Sequence, residues 1–217
     1  MSKIAILLVF TVLVAGCTQN GPAAPEGNQP ADQASQPATG GASLSSILAA
    51  RAKYKADYTV TASGQTSQLT MVFDAPRVAM FATTADGEAR TYFEGSSATA
   101  CSRAEGAWQC LKASIQVPAA VQTEEDIKQG KLTPTYAGTC TRAGLSGSKY
   151  QYQSDRGTAT VCYTSDGILL ESETSNPAST MVASSVSKDV TAADFTPPAE
   201  PQELPSAPAM PSVPELS

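Results

Sequence analysis

The chain has 217 residues and a formal net charge of −6, with 14 basic side chains, 20 acidic side chains and no histidine. A weakly acidic surface argues against nucleic acid or anionic lipid headgroups as electrostatic partners. Without histidine the chain lacks the commonest general base and metal ligand, so we expect no Ser-His-Asp enzyme, no metal and no cofactor.

The chain begins with the features of an export signal. Lys3 supplies a positive charge, and Ile4–Ala15 is apolar apart from one threonine. As a helix this run would be about 18 Å long, which is short for a hydrocarbon core of roughly 30 Å. The following LVAGC sequence, which ends at Cys17, resembles the lipobox of prokaryotic lipoproteins. It predicts a signal peptide over residues 1–16, acylation of Cys17 by chains such as palmitate, and an anchor on the extracytoplasmic side of the cell membrane. The alternative is an ordinary secretory signal in which Cys17 is incidental.

Two segments have the composition of disordered chain. Residues 17–42 follow the predicted cleavage site and contain no aliphatic side chain larger than alanine, so they indicate a linker behind the lipidated cysteine. Residues 197–217 are rich in proline and predict a disordered tail. We therefore expect one folded domain over residues 43–196.

The sequence predicts two short helices. Ser43 is a suitable N-cap, and Leu44, Ile47, Leu48 and Tyr54 recur at helical spacing. A second helix is expected over residues 123–130, with the threonine at 123 as its N-cap and the glycine at 130 ending it.

The rest of the domain has the period-two pattern of strands joined by short turns. We count roughly nine or ten strands, which predicts an antiparallel sheet with the helices packed on one face. The clearest segments, with the 101–110 hairpin taken as one unit, are 58–62, 68–73, 78–82, 88–93, 101–110, 135–140, 149–152, 158–163, 168–174 and 180–188.

The cysteines predict two disulfides. Once Cys17 is assigned to the lipobox, four of the five cysteines remain, and in an exported protein an even set favours disulfides. Three pairings are possible. A two-residue turn at 105–106 places Cys101 opposite Cys110, which favours that pair and leaves Cys140 with Cys162. A zinc site is the alternative, but the cysteines lack zinc-knuckle spacing.

We expect the protein not to be an enzyme. Gly144–Ser148 fails the G-x-S-x-G spacing of a nucleophile elbow. The acidic run of Glu124, Glu125 and Asp126 could supply a pair of catalytic acids, but such a run more often begins a solvated helix. The aromatic side chains indicate either a ligand site or cross-strand packing. They are Tyr58, Tyr92, Trp108, Tyr150, Tyr152 and Tyr163.

The order of signal, linker, helix, strands, central helix and further strands resembles the LolA/LolB and mycobacterial LppX/LprG-like lipoproteins. Similar segments are Trp108–Cys110, Tyr136–Cys140 and Cys162–Gly167. The resemblance implies an α+β fold in which a curved antiparallel β-sheet forms a LolA-like half-barrel with short helices on one face. One departure is that paired cysteines are not a feature of the LolA type.

The same resemblance implies that the concave face binds acyl chains. The candidate lining residues are Leu69, Met71, Phe73, Val78, Met80 and Trp108. We therefore expect a monomeric, membrane-anchored binder or carrier of a lipid ligand. The alternative is a surface sensor or interaction module whose sheet is filled by its own side chains.

Overall fold

The computed structural model describes residues 42–84, 87–104, 106–114, 119–154 and 157–203. The predictions for the signal peptide, for Cys17 and its linker up to residue 41, and for residues 204–217 lie outside this part of the chain. The described residues contain helices α1 (Leu44–Ala49) and α2 (Ala119–Lys128), a 3₁₀ helix (Ala192–Phe195) and twelve strands. The strands are β1 Tyr54–Ala62, β2 Gln65–Asp74, β3 Arg77–Thr84, β4 Gly87–Glu94, β5 Ser97–Ala104, β6 Ala107–Ser114, β7 Thr135–Arg142, β8 Leu145–Ser154, β9 Gly157–Tyr163, β10 Leu169–Ser175, β11 Ala178–Ser187 and β12 Gln202–Glu203.

All twelve strands belong to one curved, unclosed sheet in the order β12-β6-β5-β4-β3-β2-β1-β11-β10-β9-β8-β7. Two meanders, β1 to β6 and β7 to β11, meet where β1 pairs with β11. The neighbouring strands are antiparallel except β12, which pairs with β6 in parallel. The predicted sheet is therefore present, but it is mixed and has more strands than the nine or ten expected.

Helix α1 has the predicted cap and the predicted buried stripe. The Ser46 backbone N–H donates to Ser43 Oγ at 3.2 Å, and Leu44, Ile47 and Leu48 are buried. The helical spacing predicts that Tyr54 belongs to the same helix, and this is wrong. Helix α1 ends at Ala49, and Tyr54 is the first residue of β1.

Helix α2 begins earlier than predicted, at Ala119, so Thr123 lies inside the helix and is not its N-cap. Alanine is the best helix former, which favours extension of the helix in this direction. The predicted end is confirmed. Gly130 has a φ of 73°, and the N–H groups of Gly130 and Lys131 donate to the carbonyls of Ile127 and Asp126. This pattern is a Schellman motif.

The sheet buries apolar side chains on both faces. On one of them, called here the helix-bearing face, α1 and α2 pack with Tyr150, Val161, Tyr163 and Leu169. A neighbouring cluster contains the fully buried Tyr54 and Tyr58, and the Tyr58 hydroxyl donates to the Leu169 carbonyl at 2.8 Å.

The opposite face of β2–β6 is covered by the chain that follows β11. Val190, Phe195 and Ala199 pack on a cluster built from Val72, Ala79, Tyr92 and the Cys101–Cys110 pair. The chain then pairs with β6 as β12. The folded part therefore extends beyond the predicted end at residue 196, because packing rather than local composition orders this proline-containing segment.

The structure contains the Cys101–Cys110 and Cys140–Cys162 disulfides. The first joins directly opposed residues of β5 and β6, in the register that the turn predicts. The second joins β7 to β9. Gly147 of β8 lies opposite Cys140, and a Cβ atom there would be 2.9 Å from Cys162 Sγ, so this bridge requires a glycine at 147.

Candidate functional site

The pairing of β2 to β6 aligns three cross-strand rows of side chains on the helix-bearing face, called here the open apolar face. Because side chains alternate along a strand, residues opposite one another in the register share a face. Twelve of the fifteen side chains in these rows are apolar, and none is charged. They are Leu69, Ala82, Ala89, Ser102 and Gln109; Met71, Met80, Thr91, Ala100 and Leu111; and Phe73, Val78, Phe93, Ala98 and Ala113.

Five of the six candidate lining residues lie together in these rows, namely Leu69, Met71, Phe73, Val78 and Met80. The sixth, Trp108, was placed wrongly. It pairs with Arg103, and its ring lies 4.9 Å from the Arg90 guanidinium. The physical reason is the strand period of two, which puts Trp108 and Leu111 on opposite faces of β6. The same count outward from the hairpin turn identifies Leu111, which the sequence reading missed.

The open apolar face is the less covered side of β2–β6. The β2 members Leu69, Met71 and Phe73 pack against buried clusters, and Thr91 of β4 is itself buried. Met80, Phe93 and Leu111 are not among the side chains that pack on the three buried clusters of the described residues. Leu111 is 44% exposed. Since the opposite face of the same strands is covered by the segment from Val190 to Ala199, the two faces differ sharply in coverage.

Two of the depressions on the surface of the described residues are best formed. One, of about 310 Å³, lies beside Thr164, Asp166 and Lys188. The other, of about 350 Å³, lies beside Glu173 and Thr180. Neither includes a predicted lining residue. The five candidates therefore line an open face of the sheet rather than either depression.

An ion pair lies at the β2 edge of the open apolar face. The Arg51 guanidinium is 4.2 Å from the centre of the Phe73 ring. Its Nη1 donates to Glu124 Oε2 of α2 at 2.8 Å, its Nε donates to the Gly167 carbonyl at 3.0 Å, and its Nη2 donates to the Tyr163 hydroxyl at 3.4 Å. The Tyr163 hydroxyl in turn donates to Glu124 Oε1 at 3.2 Å.

The charge states in this cluster follow from its burial. Burial by itself lowers the pKa of Arg51, but the oxygens of Tyr163, Tyr54 and Glu124 outweigh it and raise that pKa above its ordinary value. Burial also raises the pKa of the Tyr163 and Tyr54 phenols. Arg51 is therefore charged and both phenols are neutral hydrogen-bond donors at neutral pH.

The remaining residues that the sequence analysis considered for a site make structural contacts elsewhere in the described part of the chain. Glu125 and Asp126 do not join Glu124 in an acid pair, because they contact Lys128 and Lys131. Gly144 ends the turn before β8. Several of the aromatic side chains pack in the sheet, including the buried Tyr58, Tyr150 and Tyr163.

No group of three or more Cys, Asp or Glu side chains in the described ranges is arranged to hold a metal ion. Among the helices of the same residues, none has the length and hydropathy needed to cross a membrane.

No family model and no curated protein matches the chain. Its fold is similar to that of an uncharacterised conserved protein from Thermus thermophilus, with a TM-score of 0.53 and 9% identity over 73% of this chain and 96% of the other. The Mycobacterium tuberculosis lipoprotein LppX, a member of the group that the sequence resembles, gives a TM-score of 0.43 and 13% identity over 68% of this chain and 97% of LppX.

PNGF-II gives a TM-score of 0.43 and 13% identity over 70% of this chain, which spans 31% of the length of PNGF-II. The match to the Thermus protein shows a shared fold.

Proposed function

We propose that the protein is a non-enzymatic, lipid-anchored extracytoplasmic binder or carrier of a hydrophobic ligand. The apolar part of the ligand lies on the open apolar face. The observation that carries this proposal is the set of uncharged cross-strand rows on β2–β6, whose opposite side is already covered by the chain's own C-terminal segment.

The dimensions of the face suit this role. Five strands spaced about 4.8 Å apart, with rows about 7 Å apart, give a patch of about 300 Å², and patches of this size on monomeric proteins are often functional. If these side chains served only to fill the protein's own core, we would expect the face to be covered, because removing apolar surface from water is favourable.

Two features support export and anchoring. Disulfides persist in oxidising compartments, and the structure contains one in each meander. The lipobox-like sequence ending at Cys17 supplies an attachment point, and stable anchoring requires two or more acyl chains. The protein then acts as a monomer tethered by its N-terminal linker.

The proposal is tested with N-phenyl-1-naphthylamine, an uncharged fluorescent probe. Met80→Lys places a charge in the centre of the face, and we expect probe affinity to fall about tenfold, which corresponds to about 1.4 kcal/mol. Thr83→Lys is the matched control, since Thr83 lies on the same strand but on the opposite face. Equal probe binding by wild type and Met80→Lys would contradict the proposal.

One observation favours the second candidate, a surface interaction module without a ligand. The two depressions described above lie away from the open apolar face, and none of the five candidate lining residues contributes to either of them. This candidate predicts that neither the probe nor any amphiphile binds wild-type protein.

A further inference from the structure

Buried hydrogen-bond donors without acceptors lie where the row that begins at Phe73 meets the ion pair. In the described structure Arg51 uses three of its five guanidinium N–H groups, which leaves two. Tyr54, whose ring stacks on Phe73 with 5.8 Å between ring centres, is fully buried, and its hydroxyl makes no hydrogen bond of normal length and angle among these residues. The Tyr58 hydroxyl and the Leu169 backbone are nevertheless close enough to lower the pKa of Tyr54, so its contacts are weak rather than absent. Donors of this kind favour a ligand that brings a hydrogen-bond acceptor.

The charges at this place select the kind of acceptor. Arg51 and Glu124 neutralise each other, and their side chains are only 8% and 24% exposed. A carboxylate entering here would put a second negative charge beside Glu124 in a poorly solvated position, which is unfavourable. A carbonyl oxygen accepts the same hydrogen bonds without that repulsion. Glu124 is the more exposed partner, so the site is entered from its side.

We propose that Arg51, Glu124 and the Tyr54 hydroxyl form a headgroup subsite that binds the carbonyl of an uncharged acyl ester and rejects a free fatty acid of the same chain length. The chain of the ester extends from Phe73 across Val78 and Phe93. This inference rests on the proposed function, because it assigns the ligand class for the same open apolar face.

The test compares monolaurin with laurate as competitors of the bound probe at neutral pH. Both carry the same acyl chain and differ in headgroup charge. We expect monolaurin to displace the probe at a concentration about tenfold lower than laurate. Equal potency, or tighter binding of laurate, would overturn the headgroup subsite while leaving the proposed function intact. Failure of both competitors would overturn the proposed function and this inference together.

Two variants locate the effect. In Glu124→Gln the Arg51 charge is no longer neutralised, so laurate gains at least about tenfold and the preference is lost or reversed. Glu125→Gln is the matched control, since Glu125 is 49% exposed and pairs with Lys128, and it keeps the wild-type preference. An unchanged monolaurin-to-laurate ratio in Glu124→Gln would refute the charge argument.

Tyr54→Phe removes a hydroxyl that makes no hydrogen bond of normal geometry in the described structure and has only weak contacts with Tyr58 and Leu169. We expect it to weaken monolaurin severalfold, to leave laurate unchanged and to unfold at the same urea concentration as wild type. This variant keeps the test decisive even if the charge variant folds poorly. No change in monolaurin affinity would remove Tyr54 from the subsite.

Discussion

Removing the two disulfides one at a time is expected to destabilise the protein unequally. Cys140 and Cys162 are 22 residues apart in sequence, and Cys101 and Cys110 are 9 apart. Loop-closure entropy then gives about 3.4 kcal/mol for the longer loop and about 2.6 kcal/mol for the shorter one. All four cysteines are buried, so substitution by alanine adds a similar packing cost to both. The difference between the two double variants is therefore set by loop length.

Urea denaturation at equilibrium measures these losses. Cys140→Ala/Cys162→Ala should lose more free energy of unfolding than Cys101→Ala/Cys110→Ala, by about 0.8 kcal/mol on the same entropic scale. Cys17→Ala is introduced in every protein compared, including the reference, so that the remaining thiol cannot form a wrong pair. A larger loss from the shorter loop, or no loss from either, would refute the entropic reasoning.

Three further predictions concern single side chains. Tyr58→Phe should cost about 1–2 kcal/mol by removing a buried hydrogen bond, whereas Tyr54→Phe should be nearly neutral in the same urea assay; equal costs would contradict the assignment of partners. Gly147→Ala should cost about 1–3 kcal/mol by overpacking, since the new Cβ would lie 2.6 Å from a backbone oxygen of β9, and a wild-type midpoint would refute it. Hydrogen bonds from Ser185 and then Thr70 lower the pKa of Asp57 below its ordinary value, so its contribution is complete above the unfolded-state pKa and is lost as pH falls through the folded-state pKa. The stability gap between wild type and Asp57→Asn should therefore shrink in acid, and a gap that widens would show the opposite shift.

Local signals predicted the hairpins and the cysteine register well. Ser63 and Gly64 both have positive φ values, as the tight turn between β1 and β2 requires. The turn before Ala107 sets which side chains of β5 and β6 oppose one another, and from it the Cys101–Cys110 pairing follows. These signals involve only a few neighbouring residues, so they can be recognised from composition and spacing alone.

Local sequence patterns do not reveal features that form between residues far apart in the chain. Residues 197–203 have a disordered-like composition, but they are ordered after Phe195 and Ala199 pack on the sheet. The Arg51–Glu124 pair joins residues 73 apart in sequence, and no local pattern indicates it. Trp108 is two residues from Cys110, so the strand period puts it on the face of the disulfide and not on the face of Leu111.

The central claim is that the open apolar face binds a hydrophobic ligand, and native mass spectrometry of the full chain purified from its own host tests it most directly. We expect a population whose mass exceeds that of the acylated protein by one lipid, released on denaturation, and we expect this population to be depleted in Met80→Lys but not in Thr83→Lys. A wild-type protein that carries no adduct would contradict the account.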